Sequence, residues 1–234
     1  MKRFWDTATI APDPAGHAIL LDGRPMRLPG GAVLRIGPAR LAAAIAAEWQ
    51  RAGGAKGGEM SFADTPLTRI AGTAQERIVP DPTPTVLALA RYGETDLLCH
   101  RAEAPETLVR RQHEGWQPWL DWAARQLDAP LRVGVGIVAL EQPPDSLAAL
   151  RRAVAALDPL GLAALGVAVP ALGSLVLGLA LAAAALDAAT AHRLGALDAL
   201  YQAEIWGEDA EAVASRAAVQ ADIALAARVL ALRD

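Results

Sequence analysis

Residues 158–187 read DPLGLAALGVAVPALGSLVLGLALAAAALD, with no charged residue between the two aspartates. A membrane-spanning helix needs about 20 apolar residues, so this run decides between a membrane protein and a helical bundle in water. Pro170 divides it, and the Gly-rich half before the proline is too short to cross alone. Both flanking charges are acidic, and the nearest cations, Arg152 and Arg193, stand well away, so no positive anchor appears. The nearest aromatics, Trp122 and Tyr201, are too distant to form interfacial belts. Gly161 and Gly166, like Gly173 and Gly178, are five residues apart, which misses the spacing of a glycine dimer face. The run reads as core, with a central helix at about Leu172–Leu186 that is apolar all round because other helices surround it. Membrane association through residues 159–186 is the competing reading, and partition into bilayers would reveal it.

Outward from this segment the chain is helical. After Pro143-Pro144 a succession of helices runs to Leu232, with Asp145, Asp158 and Asp187 as candidate N-caps. Upstream, Leu131–Leu140 reads as an extended or buried run. Glu106–Leu127 is helical, with Pro118 expected to kink or restart it. Leu67–Ile78 and Thr85–Tyr92 are helical, separated by Pro80, Pro82 and Pro84, while Asp96–Arg101 fits either type. The first third differs. His17–Leu21 and Arg24–Leu28 flank Asp22-Gly23, a strong two-residue hairpin signal, and Ala32–Ile36 adds a third short run. A helix follows, with Pro38 near its first turn and Leu41, Ala44, Ile45 and Trp49 at helical spacing, ending in a glycine loop at 53–58. The expected class is α+β: a small β-hairpin-containing N-terminal domain, residues 1–65, then a larger all-helical C-terminal domain, residues 66–234.

Composition narrows the function. Of 234 residues, 53% are hydrophobic and 21% charged, ample for a folded core. The net charge is −4 without a strong Lys/Arg cluster, so no nucleic-acid partner is expected. Cys99 is the single cysteine, which excludes an internal disulfide and suits a reducing compartment. Met1–Asp6 lacks both a secretory h-region and an organelle-type presequence, so a cytoplasmic protein is expected.

Motifs for chemistry are weak. His17, His100, His113 and His192 are scattered, and Cys99-His100 are neighbours whose side chains diverge, so no metal site is expected. Ser174 lacks the first glycine of a nucleophile elbow and suits a buried helix start. Lys56 is followed by Gly57, not the Ser or Thr of a phosphate-binding loop. Gly134-Val135-Gly136-Ile137-Val138-Ala139 matches a dinucleotide fingerprint, with Asp158 as the ribose acid. That motif requires a helix to open at its second glycine, whereas β-branched residues and Pro143-Pro144 follow here. A nucleotide-binding enzyme using the Gly134 region is therefore the minor alternative. Trp116, Trp119 and Trp122 suggest an interhelical seam. Glu204, Glu208, Asp209 and Glu211 suggest a solvated helix end, with Asp209 capping the next helix.

Arg3-Phe4-Trp5, Leu21-Asp22-Gly23-Arg24-Pro25, Ala46-Ala47-Glu48-Trp49 and Pro66-Leu67-Thr68-Arg69 follow one another along the chain. Tyr92, Thr95-Asp96-Leu97-Leu98-Cys99, Gln112, Trp116, Pro118, Gly173-Ser174-Leu175 and Tyr201-Gln202-Ala203-Glu204-Ile205-Trp206-Gly207-Glu208-Asp209 continue the series. In that order and spacing the chain resembles, nearly end to end, the F-type ATP synthase assembly chaperones that bind the α subunit of the F(1) sector. It departs from their pattern at His100, where the family tends to have Tyr, at Gln117 between Trp116 and Pro118, and at Asp198-Ala199. The resemblance implies a β-containing N-terminal domain and a helical C-terminal domain. It implies a chaperone and not an enzyme, with no catalytic residue, no cofactor and no small-molecule substrate. Its client would be the unassembled α subunit, held by the face that later meets β, without stable membrane insertion. It also marks Glu204 as a partner-binding residue, expected to meet a cation on α, with Trp206 setting the local geometry and Asp209 a second candidate.

Overall fold

The computed structural model describes residues 1–136 and 140–233. Its contacts group into two units. The first holds Met1–Pro82 with Pro159–Ala164 and Arg228–Asp234, and the second holds Thr83–Asp158 with Leu165–Ala227. The expected division at residue 65 falls inside the first unit.

In the first unit, strands β1 (Ala8–Asp13), β2 (Gly16–Leu21), β3 (Arg24–Pro25) and β4 (Arg35–Ile36) form an antiparallel sheet with β2 bonded to the other three. Asp22 and Gly23 both take positive φ, +47° and +77°, as a two-residue hairpin with the native strand twist requires. The Asp22 carboxylate also accepts the amides of Asp6 and Thr7 (3.0 and 2.9 Å), so the turn anchors the lead-in to β1. Strand β1 has no counterpart in the sequence reading. Pro12 within it argues against a strand, and it is tolerated because β1 pairs on one side only, with β2. The expected third run shortens to Arg35–Ile36, with a single bridge between Arg27 and Val33.

Helix α1 (Ala39–Arg51) lies on this sheet through Leu41, Ala42, Ile45, Ala46 and Trp49, one face at helical spacing. Trp5 is fully buried beside Trp49, their ring centroids 5.0 Å apart. Arg3 is buried too, and its guanidinium donates to the carbonyls of Trp5, Asp6, Gln50, Ala52 and Gly54. Five acceptors offset the desolvation of that cation. Glu48 reaches from α1 to the start of α2 (Pro66–Thr73), accepting the amides of Leu67 (2.8 Å) and Thr68 (3.2 Å). Burial pushes its carboxyl up to about 7, against those hydrogen bonds and the charge of Arg228. Helix α2 passes directly into a π-helical turn, Ala74–Ile78.

The second unit is mainly helical: α3 (Thr83–Ala90), α4 (Glu106–Gln126), α5 (Pro144–Ala155), α6 (Pro159–Leu172), α7 (Leu175–Ala182), α8 (Ala188–Gly195), α9 (Leu197–Trp206) and α10 (Ala210–Leu232). The first residues of α6 and the last of α10 belong to the first unit. A parallel pair of two-residue strands, β5 (His100–Arg101) and β6 (Gly134–Val135), adds a small strand component. Helix α4 continues through Pro118 without restarting; Pro118 and Glu114, whose carbonyl loses its partner, both lie on the exposed face. Of the three tryptophans on α4 only Trp116 is fully buried, while Trp119 and Trp122 are half-buried.

The apolar run at 158–187 is two helices. Gly173, at φ +65°, breaks it, and Ser174 caps α7 by accepting the Leu177 amide at 3.1 Å. The central helix is therefore Leu175–Ala182, shorter than the expected Leu172–Leu186, with every residue from Leu175 to Leu181 buried. Fully buried Asp96 accepts Leu98 N through Oδ1 (3.1 Å) and Val176 N through Oδ2 (3.0 Å), which ties the start of α7 to the 3₁₀ turn Leu97–Cys99. Among the described residues no helix is long and apolar enough to cross a membrane. Asp145 lies in the first turn of α5, whose N-cap position is Pro143; Asp187 caps α8 through the Thr190 amide.

Candidate functional site

The segment 201–209 closes α9 and opens α10, and α4 supports it. Gln112 is the hub. Its Nε2 donates to Asp198 on α9 (2.8 Å), its Oε1 accepts Ala102 N (2.8 Å), and its carbonyl accepts Arg101 Nη1 (2.6 Å). Arg101 also stacks over Trp116 at 5.3 Å, and Trp116 donates to the Leu194 carbonyl at 2.9 Å. Burial draws the pKa of Arg101 down, opposed by Cys99 and Asp198. This buried network sets how α9 rests on α4.

One turn along α9 from Asp198, Tyr201 is buried and its hydroxyl shares a hydrogen bond with Thr107 of α4. Arg111, one turn on from Thr107, lies over the Tyr201 ring at 5.2 Å and donates to Glu204 Oε2 at 2.7 Å. Arg111 and Glu204 are both solvent-exposed. Glu204 Oε1 has no partner among the described residues. The α9 surface then turns apolar: Ile205 is 53% exposed and Trp206 77%. Gly207, at φ +87° and ψ 167°, ends the helix in a conformation that side-chain-bearing residues rarely adopt. Asp209 Oδ1 accepts the amides of Glu211 (2.8 Å) and Ala212 (3.1 Å), capping α10, and Glu208 pairs with Arg216. Val213, one turn into α10, is 41% exposed.

Glu204 and Trp206 thus sit on the last turn of α9, while Asp209 is occupied as a cap. Arg111 was not marked by the sequence, since it stands 93 residues from Glu204 and no local pattern joins them. Of the other candidates, Cys99 is buried and its thiol is pushed up to about 12 by that burial, which makes it unreactive. Gly134-Val135 forms β6 and Gly136 follows in a turn; the rest of that fingerprint, residues 137–139, lies outside the described residues, and the next described helix opens at Pro144. No group of three or more His, Cys, Asp or Glu able to hold a metal occurs among the described residues.

The last turn of α9 thus presents an exposed carboxylate beside an exposed Ile-Trp pair, on a helix end tied to α4 by the Gln112–Asp198 hydrogen bond. Comparisons give the family. The profile of the ATP12 chaperone protein family matches residues 2–124. The crystal structure of Atp12 from Paracoccus denitrificans is 45% identical with a TM-score of 0.93, covering 100% of this chain and 98% of that one. An aspartate-to-lysine mutant of P. denitrificans Atp12p matches equally in TM-score and coverage at 44% identity. A chaperone candidate from Agrobacterium tumefaciens is 35% identical with a TM-score of 0.91, over 100% of this chain and 86% of that one. The chain belongs to the ATP12 chaperone family.

Proposed function

We propose that this chaperone serves assembly of the ATP synthase F(1) sector in the bacterial cytoplasm, binding the unassembled α subunit and shielding the surface that later contacts β. The observation that carries this reading is the Glu204–Ile205–Trp206 surface. An obligate subunit interface is rich in apolar area and aggregates when left open, so its holder needs exposed apolar contacts of its own. Trp is the strongest anchor type at such contacts. Glu204 supplies direction. Arg111 holds one of its oxygens and leaves the other for a guanidinium or ammonium on α, which makes the contact charge-assisted. Holding and release of this kind need no bond-making step, so the protein acts as a binding chaperone and not as an enzyme.

The test is co-expression of the tagged chain with α in cells lacking β. Soluble α co-purifies with the chaperone, and Glu204→Lys reduces its recovery by about tenfold while leaving the chaperone folded. Chaperone free of α under these conditions overturns the proposal. Full recovery of α with a folded Glu204→Lys variant removes Glu204 from the contact.

A further inference from the structure

The second unit carries a groove of about 520 Å³ between α3 and α5 that shares no residue with the 201–209 surface. Leu87 and Leu147 line its apolar part, and Leu87 is 42% exposed. Arg91, Arg151 and Arg152 line its charged part, with Glu94 the one carboxylate among its lining residues. All three arginines are exposed, and none has a side-chain hydrogen bond or ion pair among the described residues. Arg91 follows α3 and Arg152 lies in the last turn of α5, where helix dipoles favour cations. The dipoles do not account for the exposed Leu87 in the same groove.

We infer that this groove docks an acidic amphipathic helix of a partner protein. Charge selects the occupant. The whole chain is −4, so it repels acidic partners in general and attracts them only where cations cluster unpaired. Guanidinium groups pair with carboxylates through two parallel hydrogen bonds, which fixes orientation, while the leucines accept the apolar face. From Leu147 to Ala155 the lining of α5 extends about 12 Å at the rise of an α-helix, the length of about two turns of a partner helix.

The probe is a fluorescein-labelled helical peptide of Leu, Ala and Glu with its leucines on one face. Its control has the same composition scrambled so that the leucines encircle the helix. Anisotropy titration of the full chain should show the patterned peptide binding about tenfold tighter than the control, and more weakly as salt rises. Combined Arg91→Glu, Arg151→Glu and Arg152→Glu should abolish that preference. The milder Arg151→Gln, which keeps the aliphatic stem, should weaken binding about threefold and guards against misfolding of the triple variant. Glu204→Lys should leave peptide binding unchanged, which separates this surface from the proposed α contact. Equal affinity for both peptides, an unaffected folded Arg variant, or binding to phosphatidylserine vesicles in place of the peptide would each overturn the inference.

Discussion

Glu204 and Arg111 form an exposed ion pair, and such pairs contribute about 0–1 kcal/mol. A double-mutant cycle with Glu204→Ala and Arg111→Ala, read by urea unfolding, should therefore give a coupling energy below about 1 kcal/mol. A larger value would make Glu204 a stability residue and weaken its assignment to a partner. Asp96 is the opposite case. It is fully buried, and its two oxygens satisfy amides at the starts of two elements. Burial raises its carboxyl pKa, and the hydrogen bonds from Val176, Leu98, Ser174 and Leu175 oppose that rise. Asp96→Ala leaves those amides unpaired in the core and should cost about 2–4 kcal/mol in unfolding free energy. Asp96 was prominent in the sequence only as part of a family-like motif. The interaction that makes it matter, with Val176, joins residues 80 apart.

At the scale of elements, the α1–α2 connection carries a pH dependence. Folding raises the Glu48 carboxyl from its usual value near 4.5 to about 7, so the folded state binds a proton that the unfolded state has released between those pH values. Stability then falls as pH rises through that window. Glu48→Gln should flatten the stability–pH curve there by about 1–3 kcal/mol, measured by chemical unfolding at a series of pH values. An unchanged slope in the variant would place the titration elsewhere. Helix α1 was legible because Leu41, Ile45 and Trp49 repeat at helical spacing over a sheet. Strand β1 was not, because Pro12 lowers strand propensity and only the pairing with β2 overrides it. The break inside 158–187 was misplaced for a related reason. Pro170 is tolerated inside α6, and the chain actually turns at Gly173, where Ser174 supplies a cap.

For the whole molecule, the distribution of tryptophan gives a direct readout. Trp5, Trp49 and Trp116 are buried, Trp119 and Trp122 half-buried, and Trp206 is 77% exposed. Acrylamide quenching of the free protein should be dominated by Trp206 and fall sharply in Trp206→Phe. Because the side chain is exposed, that substitution should change stability by no more than about 0.5 kcal/mol. Binding of α should protect the same tryptophan from quencher; quenching that is unaltered by α would exclude Trp206 from the contact. Composition and periodicity determined an α+β chain, hairpins first and helices after, because apolar spacing and turn residues are local signals. Motif order along the chain determined its kinship. Tertiary structure alone decided what those motifs do. It turned Arg3, Glu48 and Asp96 into buried connectors and left Glu204 and Trp206 facing solvent with Arg111 alongside. Such roles depend on which groups meet across long stretches of chain and which stay wet, and neither is written in local sequence.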